Sequence, residues 1–129
     1  MRVVSKVRET RTVFRNRITL VVDDDRSVSR LMAMIVAQDG YAALEAEGGA
    51  EAIHLAGTNP IDLLVTDVEM PGSGPELGLM LKQKGLIERS LQVTDETDHF
   101  YSLQSTLPLL AKSFNAGQLL EKVHAILND

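Results

Sequence analysis

Two apolar runs in this chain each end at carboxylates. Residues 20–22 precede three aspartates at 23–25, and residues 63–66 precede Asp67. A short apolar run bounded by polar residues is typical of a buried strand. If both runs are parallel strands of one sheet, their acidic ends lie together at its carboxyl edge, where open α/β sheets bind ligands. Because clustered carboxylates repel one another, this pattern predicts a hard cation such as Mg²⁺ or Ca²⁺ between them.

Length and composition indicate a single globular domain. The chain has 129 residues, of which 44% are hydrophobic and 24% are charged, and it contains no cysteine. The lack of cysteine excludes disulfides, thiolate metal sites and a cysteine nucleophile. No apolar run approaches the roughly 18 residues that a membrane span needs, and the first residues do not form an apolar signal segment. We therefore expect a cytoplasmic protein with no membrane contact.

Charge is distributed unevenly along the chain. Residues 1–17 carry six basic side chains and one acidic one, whereas residues 18–129 carry seven basic and seventeen acidic ones. We interpret residues 1–17 as a basic N-terminal arm, partly disordered, and residues 18–129 as the folded domain. The acidic body argues against nucleic-acid binding by the domain itself. The arm could bind a polyanion or lie on the acidic body by long-range attraction.

Hydrophobic periodicity predicts strands that alternate with helices. The expected strands are 18–22, 41–46, 61–66, 90–93 and 107–111, and the expected helices lie near 28–38, 52–56, 76–84 and 119–127. Asn115 is the predicted N-cap of the last helix. A βα unit repeated five times predicts an α/β fold with a doubly wound, five-stranded parallel sheet covered on both faces.

In combination, the acidic clusters and a later lysine make this sequence resemble the receiver domain of bacterial two-component response regulators. The resemblance covers about residues 18–128 and depends on the aspartates at 23–25, on the Asp-Val-Glu-Met-Pro-Gly segment at 67–72, and on Lys112 after a late apolar run. It implies a flavodoxin-like (βα)5 receiver fold and a phosphorelay signalling module rather than a turnover enzyme. Asp67 would take a phosphoryl group from a sensor histidine kinase or a histidine phosphotransfer protein. Phosphorylation would then change binding to an unknown downstream protein. A homodimer is also possible.

The resemblance also implies a role for each site residue. The implied Mg²⁺ ligands are Asp24, Asp67, the backbone carbonyl of Glu69 and, through water, Asp23. Lys112 and Thr94 would contact the phosphoryl group. The chemistry supports these roles, because a carboxylate is a recognised nucleophile for phosphoryl groups. One Mg²⁺ and one lysine can supply the charge neutralisation that the transfer needs. Asp25 is better explained as the N-cap of the helix that follows.

Three departures from the family pattern affect this site. Ser113 follows Lys112 where the family has proline after a cis bond, so we expect either a trans bond with Lys112 shifted or a strained cis bond. Leu109 stands where an aromatic ring normally reports phosphorylation. Fewer positions than usual separate Thr94 from Lys112. We therefore expect a shortened, displaced or disordered fourth helix, and Thr97 is a second candidate for the role of Thr94.

Two other functions are open at this point. A pseudo-receiver would have the same fold without phosphorylation and would act as a constitutive interaction module. Alternatively, Asp23-x-Asp25 after an apolar strand resembles the motif of haloacid-dehalogenase-like phosphatases, with Asp23 as the nucleophile. That family supplies a further acidic pair beyond its lysine, whereas only Glu121 and Asp129 follow Lys112 here. The chain is also short for that fold.

Overall fold

The computed structural model describes residues 17–95 and 108–128, which contain five strands and four helices. The strands are β1 (Ile18–Val22), β2 (Ala42–Ala46), β3 (Ile61–Asp67), β4 (Ile87–Thr94) and β5 (Leu109–Ala111). The helices are α1 (Arg26–Gln38), α2 (Gly49–Thr58), α3 (Gly74–Gln83) and α4 (Ala116–Leu127). The predicted elements in these ranges are confirmed, with bounds that differ by a few residues.

The five strands form one parallel sheet in the order β2-β1-β3-β4-β5. The chain moves from β1 to one side for β2 and then to the other side for β3, so the strand order reverses between β1 and β3. Open α/β sheets bind ligands in the crevice beyond such a switch point. Val22 pairs with Thr66, and the carboxylates that follow these two residues therefore leave the sheet side by side.

Helices cover both faces of the sheet, as the doubly wound architecture requires. Val21 of β1 packs in a cluster with α1 and α4, whereas Leu20 and Val22 pack with α2 and α3 on the opposite face. Every residue of β3 is buried. A strand that is buried on both faces reads as a continuous apolar run rather than an alternating one, which explains the run that precedes Asp67.

Side-chain caps at Asp25 and Asn115 fix the beginnings of α1 and α4. The carboxylate of Asp25 accepts a hydrogen bond from the Ser27 N–H at the start of α1. Asn115 and Gln118 form a reciprocal capping box at the start of α4. Such caps satisfy backbone donors that have no partner within the helix. Both predicted N-caps are confirmed, and the side chain of Asp25 caps α1 instead of joining the carboxylate cluster.

Three predictions lie outside the residues that the structure describes. They concern the basic arm up to residue 16, the altered fourth helix within residues 96–107, and Thr97 as a second candidate for the role of Thr94. Within residues 17–95 and 108–128, no helix is long and apolar enough to cross a membrane.

Candidate metal and phosphoacceptor site

The acidic ends of β1 and β3 meet at the carboxyl edge of the sheet. Asp23, Asp24 and Asp67 each offer a carboxylate oxygen, and these oxygens lie within 4.8 Å of one another. Asp23 is completely buried and Asp67 is 1% exposed, whereas Asp24 is exposed. The sequence-based prediction that these carboxylates lie close together is therefore correct.

Lys112 brings a positive charge to the buried carboxylates. Its backbone N–H donates a 2.9 Å hydrogen bond to the carbonyl oxygen of Thr94, which fixes the chain just after β5. Its Nζ atom lies 3.3 Å from Oδ2 of Asp67 and 3.4 Å from Oδ2 of Asp23. The described residues contain no cis peptide bond, so the Lys112–Ser113 bond is trans. The trans bond is confirmed, and with it the lysine side chain reaches both carboxylates; the shift of Lys112 stays a prediction.

Burial dominates the electrostatics of this group. It raises the pKa of Asp23 and of Asp67, because a charged carboxylate loses hydration in the interior. Burial alone would lower the pKa of Lys112, but the neighbouring Asp23 and Asp67 raise it above its usual value. Three carboxylates face one lysine, and the site therefore has an excess of negative charge that favours a cation.

One oxygen of Asp23 indicates that the site suits a hard cation. Oδ1 of Asp23 accepts a 2.8 Å hydrogen bond from the backbone N–H of Asp25. Oδ2 is buried and makes no well-directed hydrogen bond within the described residues, although it lies 3.4 Å from the ammonium nitrogen of Lys112. A buried carboxylate oxygen whose compensation is one long ion pair, shared with Asp67, is incompletely stabilised. Carboxylate oxygens are the ligands that Mg²⁺ prefers, usually one or two per ion together with water and phosphate oxygens, so the residues present fit this ion.

Glu69 and Thr94 are joined by a hydrogen bond that sequence reasoning missed. The backbone N–H of Glu69 donates to Oδ1 of Asp67 at 3.1 Å. The hydroxyl of Thr94, at the end of β4, donates to Oε2 of Glu69 at 3.0 Å. Thr94 is completely buried, whereas Glu69 is exposed. The sequence indicated a role only for the backbone carbonyl of Glu69, and its position two residues after Asp67 was the available signal for its side chain.

A glycine keeps the loop after β3 close to Asp67. A Cβ atom at Gly74 would lie 2.1 Å from the carbonyl oxygen of Asp67 and 2.8 Å from Oε1 of Gln92. Both distances are shorter than van der Waals contact. The Gly74 N–H also donates to the carbonyl oxygen of Val68 at 3.2 Å. Glycine at this position therefore allows the first turn of α3 to pack directly against the backbone of the candidate nucleophile.

Comparison with protein families gives this site a context. The family model of the response regulator receiver domain matches residues 19–124. This chain belongs to the receiver domain family. The match covers β1, β3, β4 and β5, and hence every strand that contributes a residue to the site.

Relatives of this receiver share its sequence or its fold. It is 32% identical over 117 residues to the alkaline phosphatase synthesis transcriptional regulatory protein PhoP of Bacillus subtilis, a match that covers 87% of this chain and 49% of PhoP. The receiver thus spans about half the length of that relative. The chemotaxis protein CheY4 of Vibrio cholerae superimposes with a TM-score of 0.80 at 25% identity, covering 87% of this chain and 99% of CheY4.

A further similar structure was determined with an inorganic ligand. The response regulator protein TrrA of Thermotoga maritima, in complex with Mg²⁺ and a beryllium fluoride, superimposes on this receiver with a TM-score of 0.75. The two chains are 31% identical, and the alignment covers 86% of this chain and 99% of that one. Both similar structures have the receiver fold that the sequence predicted.

Family membership decides the class of this protein. It is a receiver domain of the two-component response regulator type, a class of signalling modules rather than turnover enzymes. The family match assigns residues 19–124 to the receiver fold. This assignment is against the phosphatase hypothesis, in which Asp23 would be the nucleophile.

Proposed function

We propose that this receiver accepts a phosphoryl group on Asp67 and that the phosphorylated form binds a different protein partner. The contact between Lys112 and the paired carboxylates of Asp67 and Asp23 carries this proposal. The backbone N–H of Glu69 holds one oxygen of Asp67, and the ammonium group of Lys112 lies beside the other. A carboxylate that is fixed at both oxygens is well oriented for attack on phosphorus.

Mg²⁺ is the cofactor that the donor set suits best. The proposed ligands are Asp24, Asp67, the backbone carbonyl of Glu69 and, through a water molecule, Asp23. Support comes from the three carboxylates within 4.8 Å and from the buried Oδ2 of Asp23, whose charge is offset by one 3.4 Å contact with Lys112 that Asp67 shares. When bound, the ion would offset negative charge on the phosphoryl oxygens.

The proposed transfer exchanges one bond to phosphorus for another. A carboxylate oxygen of Asp67 forms a bond to phosphorus while the bond between phosphorus and an imidazole nitrogen of the donor breaks. The electron pair of the broken bond returns to that nitrogen, and Asp67 becomes an acyl phosphate. Lys112 offsets charge on the transferred group, and the Thr94 hydroxyl donates a hydrogen bond to it. Slow attack by water would later release inorganic phosphate and restore the carboxylate.

The proposed donor is a sensor histidine kinase or a histidine phosphotransfer protein in the cytoplasm. The receiver family supports this class of donor. The downstream target is a protein, because the net negative charge of residues 18–129 disfavours nucleic acid. A pseudo-receiver that binds partners without phosphorylation is the alternative. The combined presence of Asp24, Asp67 and Lys112 in one cluster favours phosphorylation.

Incubation with Mg²⁺ and acetyl phosphate, followed by intact-mass measurement, tests this function. We expect an adduct of one phosphoryl group that is labile to alkali and hydroxylamine and that Asp67→Asn abolishes. Asp25→Asn is the matched control, because asparagine also caps helices well, and this variant should still form the adduct. No adduct from small donors or from histidine kinases would favour the pseudo-receiver. An adduct that persists in Asp67→Asn but disappears in Asp23→Asn would support the phosphatase hypothesis.

A further inference from the structure

We infer that the side chain of Glu69 engages the hydroxyl of Thr94 in the unphosphorylated receiver and competes with the phosphoryl group for that hydroxyl. Glu69 thereby acts as a positioning residue that limits how fully Asp67 is phosphorylated. This inference rests on the proposed function, because it concerns the same phosphoryl group.

The backbone brings the three residues of this competition together. Asp67 pairs with Val93 in the parallel sheet, so Thr94 follows immediately beside the candidate nucleophile. The N–H of Val68 donates to the carbonyl oxygen of Val93 at 2.9 Å and holds the two strand ends in register. Glu69 lies in the loop that begins after Asp67, and its Oε2 atom accepts a hydrogen bond from the hydroxyl of Thr94 at 3.0 Å.

The competition follows from the chemistry of a hydroxyl group. A threonine hydroxyl has one proton and therefore donates to one acceptor at a time. Thr94 cannot donate to a phosphoryl oxygen while it donates to Oε2 of Glu69. A hydrogen bond to an ionised acceptor is stronger than one between neutral groups. The phosphoryl group therefore has to displace another negatively charged acceptor, the Glu69 carboxylate, before it receives the hydrogen bond from the hydroxyl.

Charge and exposure determine which acceptor leaves. A phosphoryl group on Asp67 would add negative charge within reach of the Glu69 carboxylate, and like charges repel. Glu69 is exposed and can turn into solvent, whereas Thr94 is buried and stays beside Asp67. The side chain that moves is therefore that of Glu69, and its departure ends its competition with the phosphoryl group for the hydroxyl.

A double-mutant cycle in the full chain tests this competition. We would measure the affinity for beryllium fluoride, a phosphoryl mimic, in the presence of Mg²⁺ for the wild type, Glu69→Ala, Thr94→Val and the double variant. We expect Glu69→Ala to tighten binding by on the order of tenfold, the equivalent of one hydrogen bond. In the Thr94→Val background the same change should have a clearly smaller effect. Equal effects in both backgrounds would overturn the inference.

Two controls separate the hydrogen bond from general charge effects. Glu76→Gln removes a neighbouring exposed carboxylate in the first turn of α3 and should change the affinity far less than Glu69→Ala. Thr94→Ser keeps a hydroxyl and should restore the dependence on Glu69 that Thr94→Val removes. If Glu76→Gln tightens binding as much as Glu69→Ala, charge alone explains the effect and the inference is wrong.

A spectroscopic measurement distinguishes failure of this inference from failure of the proposed function. In the ligand-free protein, Glu69→Ala should shift the NMR methyl resonance of Thr94, because its hydroxyl loses the carboxylate acceptor. An unchanged resonance would contradict the inference whether or not the protein binds the mimic. If Glu69→Ala shifts the resonance but the wild type does not bind the mimic, the result would instead count against phosphorylation of Asp67.

Discussion

The ammonium nitrogen of Lys112 lies 3.3 Å from a carboxylate oxygen of Asp67, although their strands are not neighbours in the sheet. β4 lies between β3 and β5, so the lysine side chain reaches across the end of β4 to meet the carboxylate. The same nitrogen lies 3.4 Å from Asp23, which follows β1. One flexible cation thus connects the ends of three strands and offsets part of the charge of the acidic cluster.

Loss of this cation should destabilise the metal-free protein. Lys112→Met keeps much of the length of the side chain but leaves the buried carboxylates of Asp23 and Asp67 without the ammonium group. Removing one partner of a largely buried ion pair leaves an uncompensated charge. We expect a decrease of about 1–3 kcal/mol in the free energy of unfolding at pH 7, measured by urea denaturation in the presence of a chelator.

The exposed Lys122 on α4 provides the matched control for this change. Lys122→Met removes the same charge at the surface, where substitutions usually change stability by less than about 0.5 kcal/mol. Equal losses for the two variants would show that the contacts of Lys112 with Asp67 and Asp23 do not stabilise the fold.

The stability of the metal-free protein should depend on pH through Asp23 and Asp67. Burial raises the pKa of both carboxyls above the ordinary value, so the folded state holds these protons more tightly than the unfolded chain. Their stabilising contribution is fully present below the ordinary pKa of about 3.9 and is lost as the pH rises through the raised values. Asp23→Asn removes one of these groups. In chelator at pH 7 it should therefore unfold at higher denaturant concentration than the wild type, and the difference should decrease toward pH 4.

Addition of Mg²⁺ should reverse that order. A ligand at one hundred times its dissociation constant stabilises the folded state by about 2.7 kcal/mol, and the wild type should gain this amount whereas Asp23→Asn should gain less. Denaturation curves at pH 7 with saturating Mg²⁺ and with chelator give both values. An Asp23→Asn protein that is less stable than the wild type in chelator at pH 7 would contradict the pKa argument.

Substitution of Gly74 should be poorly tolerated. The new Cβ atom in Gly74→Ala would clash with the Asp67 carbonyl oxygen at 2.1 Å, and the backbone of α3 would have to move away from β3. Overpacking of this kind costs about 1–3 kcal/mol, and the displaced loop should also weaken Mg²⁺ binding. Thermal denaturation and a Mg²⁺ titration measure the two effects.

Gly57→Ala is the matched control for Gly74→Ala, because the space around Gly57 is open. It lies in α2, and a Cβ atom added there would meet no described atom within 4 Å. Alanine is favoured over glycine in helices by about 1 kcal/mol. Gly57→Ala should therefore stabilise the protein. If Gly74→Ala did so as well, the close approach to Asp67 would not constrain this position.

Gln92 should be a position where an apolar side chain improves stability. It is completely buried in β4, and both atoms of its amide group lack a hydrogen-bond partner within residues 17–95 and 108–128. An unsatisfied buried polar group costs about 1–3 kcal/mol. Gln92→Met has a similar length without the amide and should raise the free energy of unfolding by about 1 kcal/mol. Gln83→Met, at an exposed position of α3, should have little effect, and a loss of stability in Gln92→Met would show that the amide is needed.

The parts of this fold that follow from local pattern could be predicted from sequence. The apolar runs before Asp23 and Asp67 indicated two buried strands, and parallel pairing then required their carboxylates to meet. Asp25 and Asn115 could be predicted as helix caps because the residues that follow them begin amphipathic helices. In each case the information lies within a few residues of the feature.

Features that depend on side-chain direction across the sheet could not be predicted. The hydrogen bond from Thr94 to Glu69 joins residues 25 positions apart, and it depends on the register between β3 and β4. The packing of Gln92 against Gly74 has the same origin. No local pattern distinguishes a glutamine that faces solvent from one that is buried under a helix, because strand alternation is lost where both faces are covered.

No short fragment of the chain contains the whole site. Its side chains lie at the carboxyl ends of four different strands, β1, β3, β4 and β5. The proposed metal ligands come from the ends of β1 and β3, and metal affinity is therefore a sensitive assay of the register between these two strands, since slippage by a single residue would separate the ligands. A Mg²⁺ titration can consequently screen variants far from the acidic cluster for errors in the register between β1 and β3.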